Sequence, residues 1–456
     1  MNNFRQFLFN KYLITCAVLV IVQQVILASS TVWLAKLGEA IVNRNELNIW
    51  FYLGLTLVCS FVVFIPPIFA MMLLQKAKFD LKNEYLFKFI DRHKGLATLS
   101  RNKELRDRLE PWPVAESDTI IQDFINFAYS SLIIVSTLIF SVVAILYVTE
   151  SIMLIAYTCG LLITLASLRL SKPRIAKISH DYQEASLGVR KNLIKTWDNV
   201  FIGNTYNLEN WRTKYLNSFA ILRQKGVTLM AATEFFSSFP VILTSIPVGG
   251  AIVWLFHKNI SDAVYLAALV ATLPKQIQTI QNVHSFSYVI NMWHGIKPRV
   301  IKLQESIYLA SKSHENANEL VDWAKLDIAS DKNVVAKNLN ELQSCIDQGL
   351  TGRITIRGPN GCGKSTLLAL IKEIYQDAAI YLPANYDLDF YTTDAESLST
   401  GQKRILELNE VINNDAGKLL LLDEWDANLD HKNISEISAL LDKIAETNCL
   451  IEVRHR

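Results

Sequence analysis

The chain has 456 residues, 51% hydrophobic and 19% charged, with a net charge of +2 and a mean hydropathy of +0.21. Charged residues make up ~25% of an ordinary soluble domain, so much of this chain belongs in lipid. The near-neutral balance argues against a nucleic-acid binder, and six scattered cysteines without a CxxC pair argue against a zinc ribbon or a secreted disulfide framework.

Long uncharged runs come first. They predict membrane spans at about 12–35, 48–75, 124–149, 151–168 and 227–256, each near the ~20 residues needed to cross the hydrocarbon core. The pair Pro66-Pro67 interrupts the second run. A sixth span is expected at 263–292, although Lys275, Gln276, Gln278, Gln281 and Asn282 make it more polar. The first run is too long for a signal peptide. Residues 76–108 carry ten Lys/Arg and residues 169–225 carry eleven, whereas the links between spans three and four and between five and six are short and poor in base. Basic loops stay in the cytoplasm. Both termini and both long loops are therefore expected there, the loops as helical extensions with a turn at each tip.

Polar residues inside spans are costly and usually face a cavity or another helix. The candidates are Gln23 and Gln24 in the first span, Glu234 in the fifth, and Lys275, Gln278, Gln281 and Asn282 in the sixth. Positions 274, 278, 281, 282 and 285 share one helical face, which suits a wet cavity for a polar or amphipathic solute. Glu234 and Lys275 lie near helix ends, where snorkelling is the alternative reading. Pro240 and Pro247, with Gly249-Gly250, are positioned to bend the fifth span.

From about residue 321 the pattern turns to short strands and helices. The strand-like Arg353–Arg357 runs into Gly358-Pro359-Asn360-Gly361-Cys362-Gly363-Lys364-Ser365, then the apolar helix opened by Thr366-Leu367-Leu368. Strand, glycine-rich loop and helix are the setting a P-loop requires. Its backbone N–H groups cradle phosphate at a helix N-terminus, Lys364 would reach the β- and γ-phosphates, and Ser365 would hold Mg²⁺. Leu419-Leu420-Leu421-Leu422 reads as a buried strand ending in Asp423 and Glu424. Asp423 would reach the same Mg²⁺, and Glu424 would polarise an attacking water.

With these motifs the chain resembles an ABC transporter of the exporter type, in which six membrane helices precede one ATPase domain. Leu398-Ser399-Thr400-Gly401-Gln402 resembles the family's LSGGQ signature with one Gly replaced. Ala427-Asn428-Leu429-Asp430 resembles its D-loop, and His455 its switch histidine. The resemblance implies a membrane domain over 1–304, a linker over 305–320, and an α/β P-loop ATPase domain over 321–456 with a RecA-like core and a shortened helical subdomain. It further implies that ATP lies between the P-loop of one copy and Ser399, Thr400, Gly401 and Gln402 of a second, with Asp430 nearby and His455 on the γ-phosphate. A homodimer bound to ATP and Mg²⁺ is therefore expected, working as an ATPase in a bacterial inner membrane.

The match has gaps. Only 34 residues separate Lys364 from Leu398, where the family usually has a helical subdomain. Ala384 stands where its Q-loop glutamine is expected, with Asn385 as a possible substitute. Residues 329–340 lack the adenine-stacking aromatic, leaving Trp323 and Tyr375 as replacements. Loop tips near 99–113 and 197–208 are expected to dock on ATPase domains, the second on the partner's. Trp425 in Asp423-Glu424-Trp425-Asp426 resembles the branch that exports modified or cyclic peptides. A lipid or drug transporter with the same engine, or a nucleotide sensor that does not transport, are the alternative readings.

Overall fold

The computed structural model describes residues 10–101, 109, 112–308, 321–330, 336–384, 388–390, 400–413, 419–427 and 429–454. The chain divides into two compact units, Met1–Tyr85 with Ala115–Leu303 and Leu86–Val114 with Gln304–Arg456.

The first unit is built from long helices: α1 (Lys11–Val42), α2 (Glu46–Val62), most of α3 (Ile65–His93), α5 (Ser117–Val148), α6 (Ile152–Ile194), α7 (Thr205–Lys258) and nearly all of α8 (Ala263–Ser306), while α4 (Thr98–Arg101) and the last residues of α3 and α8 belong to the second unit. Their starts are chemically marked. Asn10 and Asn45 accept backbone N–H bonds at the heads of α1 and α2, and Asn204 with Asn207 forms a reciprocal capping box on α7. The predicted span at 48–75 is two helices, with the break just before Pro66-Pro67. Those prolines sit in the first turn of α3, where their missing N–H groups cost no helical bond.

The helices pack through small residues and isolated polar pairs. Along α6 and α7, an added Cβ at Gly160 would lie 2.4 Å from Thr244 Cγ2. The Thr244 hydroxyl donates to the Gly160 carbonyl at 3.2 Å. Farther along, Lys225 pairs with Asp181 at 3.1 Å and Trp211 Nε1 donates to the Asn192 carbonyl at 2.9 Å. These contacts make α6 and α7 an antiparallel pair fastened over most of its length. Buried Gln24 accepts from the Thr137 hydroxyl at 2.9 Å, so it joins α1 to α5. Glu234 meets His284 at 3.1 Å across α7 and α8. On α8, positions 274, 278 and 281 are exposed, whereas Thr272, Gln276, Thr279, Ser287 and Asn291 are buried.

The second unit holds β1 (Asp327–Ser330), α9 (Leu339–Asp347), β2 (Gly352–Arg357), α10 (Lys364–Tyr375), β3 (Ala379–Leu382), α11 (Thr400–Asn413), β4 (Leu419–Asp423), α12 (His431–Ala445) and β5 (Cys449–Val453). The sheet order is β1-β2-β5-β4-β3, with β1 antiparallel and the other pairings parallel. Every residue of β4 and β5 is buried, as parallel strands covered on both faces require. Side chains alternate across the strands. Leu419, Leu421, Ile451 and Val453 pack with α9 and α10, while Leu420, Leu422 and Leu450 pack with α11 and α12.

The expected fold class needs correction. The described residues are overwhelmingly helical, and their strands form only this small mixed sheet, without a large RecA-like α/β ATPase core. Among the described residues, five helical segments, not six, are long and apolar enough to cross a membrane: Lys11–Val42, Glu46–His93, Ser117–Val148, Ile152–Ile202 and Thr205–Lys258. That count is compatible with a membrane protein. The sixth expected span falls in α8, where Lys275 and the run of glutamine, asparagine, serine and threonine dilute the apolar character. Residues 309–320 of the expected linker lie outside the described residues, and α8 itself runs to Ser306.

Candidate functional site

The site grows from β2 through the glycine-rich loop into α10. Gly361 and Gly363 have φ of 86° and 93°, a left-handed conformation that glycine adopts without penalty. A Cβ on Gly358 would lie 2.7 Å from the Lys325 carbonyl oxygen and 2.9 Å from Cys362 Sγ. The loop is closed by Cys362 N–H donating to the Pro359 carbonyl at 3.4 Å, and is tied to the chain before β1 by Asp322 N–H donating to Cys362 O at 3.0 Å. Asn360 at its tip is exposed. Lys364, nearly buried, donates through Nζ to the carbonyls of Gly358 at 2.7 Å and Pro359 at 3.1 Å. Its ammonium is therefore held across the mouth of the loop. Thr366 follows in the first turn of α10, half-buried.

The fold brings a second sequence region to this helix start. Ser365 Oγ donates to Asp423 Oδ1 at 2.9 Å, across 58 residues of chain. Asp423 is 1% exposed, and its other oxygen accepts from the Tyr381 hydroxyl at 3.3 Å. Hydroxyl and carboxylate oxygens are the hard donors Mg²⁺ prefers, and Mg²⁺ usually takes one or two protein ligands while keeping waters and phosphate. The pair Ser365 and Asp423 fits that chemistry. No group of three or more His, Cys, Asp or Glu side chains suited to a metal is found among the described residues.

Beyond Asp423 the chain turns sharply. Glu424 has φ of 50°, left-handed for a residue with a side chain, and its N–H donates to the Val453 carbonyl at 3.0 Å. Such strain costs roughly 1–2 kcal/mol and clusters at functional sites. The turn aims Trp425 inward, where it is 2% exposed and donates through Nε1 to Glu452 Oε2 at 2.7 Å.

Glu452 is the hub of a polar network under the site, and the sequence reading passed over it. Arg353 clasps its carboxylate through Nε at 3.0 Å and Nη2 at 2.8 Å, and Thr355 donates to it at 2.9 Å. Arg454 Nε lies 3.0 Å from it, with its guanidinium 5.2 Å from the centre of the Trp425 ring. Burial by itself would raise the Glu452 carboxyl, but the hydrogen bonds and charge of Arg353, followed by Trp425 and Arg454, hold it below the usual carboxylate range. The network thus joins the residue after Glu424 to the residue before His455. The available signal was a lone acid in the otherwise apolar strand Cys449-Leu450-Ile451-Glu452-Val453.

Other expected residues are placed less fully. Thr400 and Gly401 open α11, Gln402 is exposed, and Leu398, Ser399, Asn428 and His455 lie outside the described residues. Asp430 caps α12 by accepting from Asn433 N–H at 2.7 Å. Ala384 accepts from Arg404 Nη2 at 3.3 Å through its backbone carbonyl, and Asn385 lies outside the described residues. Trp323 and Tyr375 both pack against the core, and the Tyr375 hydroxyl donates to Asp347 at 2.7 Å. A structural place therefore accounts for Tyr375. Trp323 also lines a small cavity with Asn338, Leu339, Leu367 and Leu370.

Of the two loop tips, the first lies in the second unit, where Thr98 N–H donates to Glu373 of α10 at 2.7 Å and Lys94 meets Asp377 at 3.5 Å. Residues 102–108, 110 and 111 of that tip are outside the described residues. The second tip carries a short π-helical turn, Asp198–Ile202, and Trp197, Phe201 and Ile202 are largely exposed. No family model matches this chain, and no curated protein matches it.

Proposed function

We propose that this chain is an ATP-driven exporter of the ABC type, working as a homodimer that moves a peptide or other amphipathic solute across a bacterial inner membrane. One observation carries the reading. The loop that ends in Lys364 and Ser365 and the strand that ends in Asp423, remote in sequence, meet through the Ser365–Asp423 hydrogen bond at the start of α10. A triphosphate at that helix start would draw Lys364 from the carbonyls it now contacts, because a phosphate oxygen is the stronger acceptor. Mg²⁺ held by Ser365 and Asp423 would neutralise charge on the phosphates. Tyr381 fixes the carboxylate of Asp423, and Glu424 stands next in the chain to orient water.

The five apolar helical segments support the membrane side of the reading. The basic 76–108 and 169–225 segments support cytoplasmic loops and termini. The exposed Trp197–Ile202 turn is suited to dock on a partner copy. The second copy would supply Ser399, Thr400, Gly401 and Gln402 to the nucleotide, and His455 would meet its γ-phosphate.

The test is ATP hydrolysis by the full chain in proteoliposomes, with a panel of peptides, lipids and drugs. Hydrolysis that peptides stimulate, and that Glu424→Gln abolishes without loss of ATP binding, supports the proposal. Normal ATP binding with negligible hydrolysis in the wild-type chain would instead make it a nucleotide sensor.

A further inference from the structure

A second candidate site lies within the helical unit. A groove of about 480 Å³ runs between α6 and α8, lined by Leu165, Leu168, Phe286 and Ile290 at one end and by Arg169, Lys172 and His294 at the other. Its volume is in the range of small-molecule sites. Its lining contains no acidic side chain. Among the described residues, no carboxylate lies within ion-pairing distance of Arg169 or Lys172. Lys172 and Lys297 are close enough for their charges to act on the His294 imidazole. Arg169 and Lys172 thus stand at the His294 end of the groove without an ion-pair partner among the described residues.

The position along the chain gives the groove its meaning. The uncharged run of α6 covers residues 151–168, and Arg169 is the first charge after it. The apolar end of the groove therefore lies at the level where hydrocarbon gives way to water, and the basic end lies just beyond. Leu165 is 48% exposed, apolar surface that an acyl chain lying in the groove would cover. Basic pockets between membrane helices on the cytoplasmic side are suited to anionic headgroups.

We infer that this groove binds an anionic phospholipid, with its acyl chain along Leu165, Phe286 and Ile290 and its headgroup phosphate at Arg169, Lys172 and His294. The inference needs only the membrane setting and is independent of whether the chain hydrolyses ATP.

The experiment is native mass spectrometry of the purified full chain, titrated with dioleoyl phosphatidylglycerol or dioleoyl phosphatidylcholine. The wild-type chain should retain phosphatidylglycerol in preference to phosphatidylcholine. Arg169→Gln with Lys172→Gln should weaken phosphatidylglycerol retention about 30-fold, from about 1 kcal/mol per cation near an anionic surface, and leave phosphatidylcholine unchanged. Lys214→Gln with Arg223→Gln, which removes two exposed cations elsewhere, should change neither. Ile290→Trp, which narrows the apolar end and keeps every cation, should also lower phosphatidylglycerol retention. Equal retention of the two lipids, retention unaffected by the Arg169/Lys172 pair or by Ile290→Trp, displacement of the lipid by inorganic phosphate alone, or a lipid-free dimer that excludes phosphatidylglycerol would each overturn the inference.

Discussion

In the helical unit, polar side chains meet in small groups spaced along the helix contacts. Thr137 holds Gln24, Thr244 holds the Gly160 carbonyl, and Lys225 holds Asp181. In the sheet unit they gather at the ends of strands. Asp423 collects Ser365 and Tyr381, and Glu452 collects Arg353, Thr355, Trp425 and Arg454. The difference follows from what each unit can bury. Helices satisfy their own backbones, so an occasional polar pair is enough to set register. Parallel strands end with carboxylates and turns at one edge of the sheet, and a buried charge there persists only when several donors surround it. Removing a polar group from the first unit should therefore loosen one contact, while removing one from the second should disturb a whole edge.

The largest expected effects lie at the sheet edge. Lys364→Ala should remove ATP binding by the full chain in lipid nanodiscs. Glu424→Gln should lower hydrolysis by about 10²–10⁴-fold while binding persists. If the two variants behave alike, the separate roles given to the ammonium and the carboxylate are wrong.

Next comes the Glu452 hub. Breaking one member of a buried ionic cluster destabilises by about 3–5 kcal/mol, so Arg353→Met should accelerate amide exchange throughout β2 and β5 of the intact protein. Acid offers a second route. Folding holds the Glu452 carboxyl below its ordinary value of 4.5, so its stabilising contribution is complete above that pH and fades as the pH falls through the lower folded-state value. Protection of β2 and β5, taken relative to the intrinsic exchange rate at each pH, should fall below about pH 4.5, and Glu452→Gln should flatten the fall. Protection that does not change with pH in the wild-type chain would remove Glu452 from its place as hub.

The helical unit should respond less. Gly160→Ala places a methyl 2.4 Å from Thr244 Cγ2. Overpacking of this kind costs about 1–3 kcal/mol, read as a lower apparent Tm of the purified chain. Thr244→Ser removes the obstructing methyl, keeps the hydroxyl and should restore the loss. Failure of that rescue would mean that the α6–α7 contact does not set the spacing.

The smallest effect on stability is expected from the backbone at Glu424. Glu424→Gly relieves the left-handed backbone at φ 50° and should raise the apparent Tm by about 2–4 °C while ending hydrolysis. A fall in Tm would mean the side chain contributes more to the fold than the strain takes away.

Much of the helical unit and part of the site were legible in the sequence, for physical reasons that differ. Uncharged runs mark α1, α5, α6 and α7 because lipid tolerates few charges, and the glycine spacing of the loop marks backbone shapes open to few other residues. The strand Leu419–Asp423 was visible as an apolar run with carboxylates at its end. The split of α2 from α3 was only half visible, since Pro66-Pro67 marks a helix start as readily as an interruption. The sixth expected span was misjudged because polar residues in α8 were counted as tolerable within one apolar helix. The buried stripe Thr272, Gln276, Thr279, Ser287 and Asn291 runs beside the stripe that the spacing had singled out. The large ATPase core was expected from the motifs, but motifs define a loop and a strand end and do not set the size of the sheet behind them. Tyr381 and Glu452 were missed because their importance lies in partners far away in sequence.

The most direct measurement is Mg²⁺-dependent ATP binding by the intact chain in lipid nanodiscs, followed by equilibrium dialysis with radiolabelled nucleotide. Binding should be saturable, weaken without Mg²⁺, be lost in Lys364→Ala, and lose its Mg²⁺ dependence in Asp423→Asn. Binding that is absent in the wild-type chain, or equally strong in all three proteins with and without Mg²⁺, would contradict the meeting of Lys364, Ser365 and Asp423 as a nucleotide site.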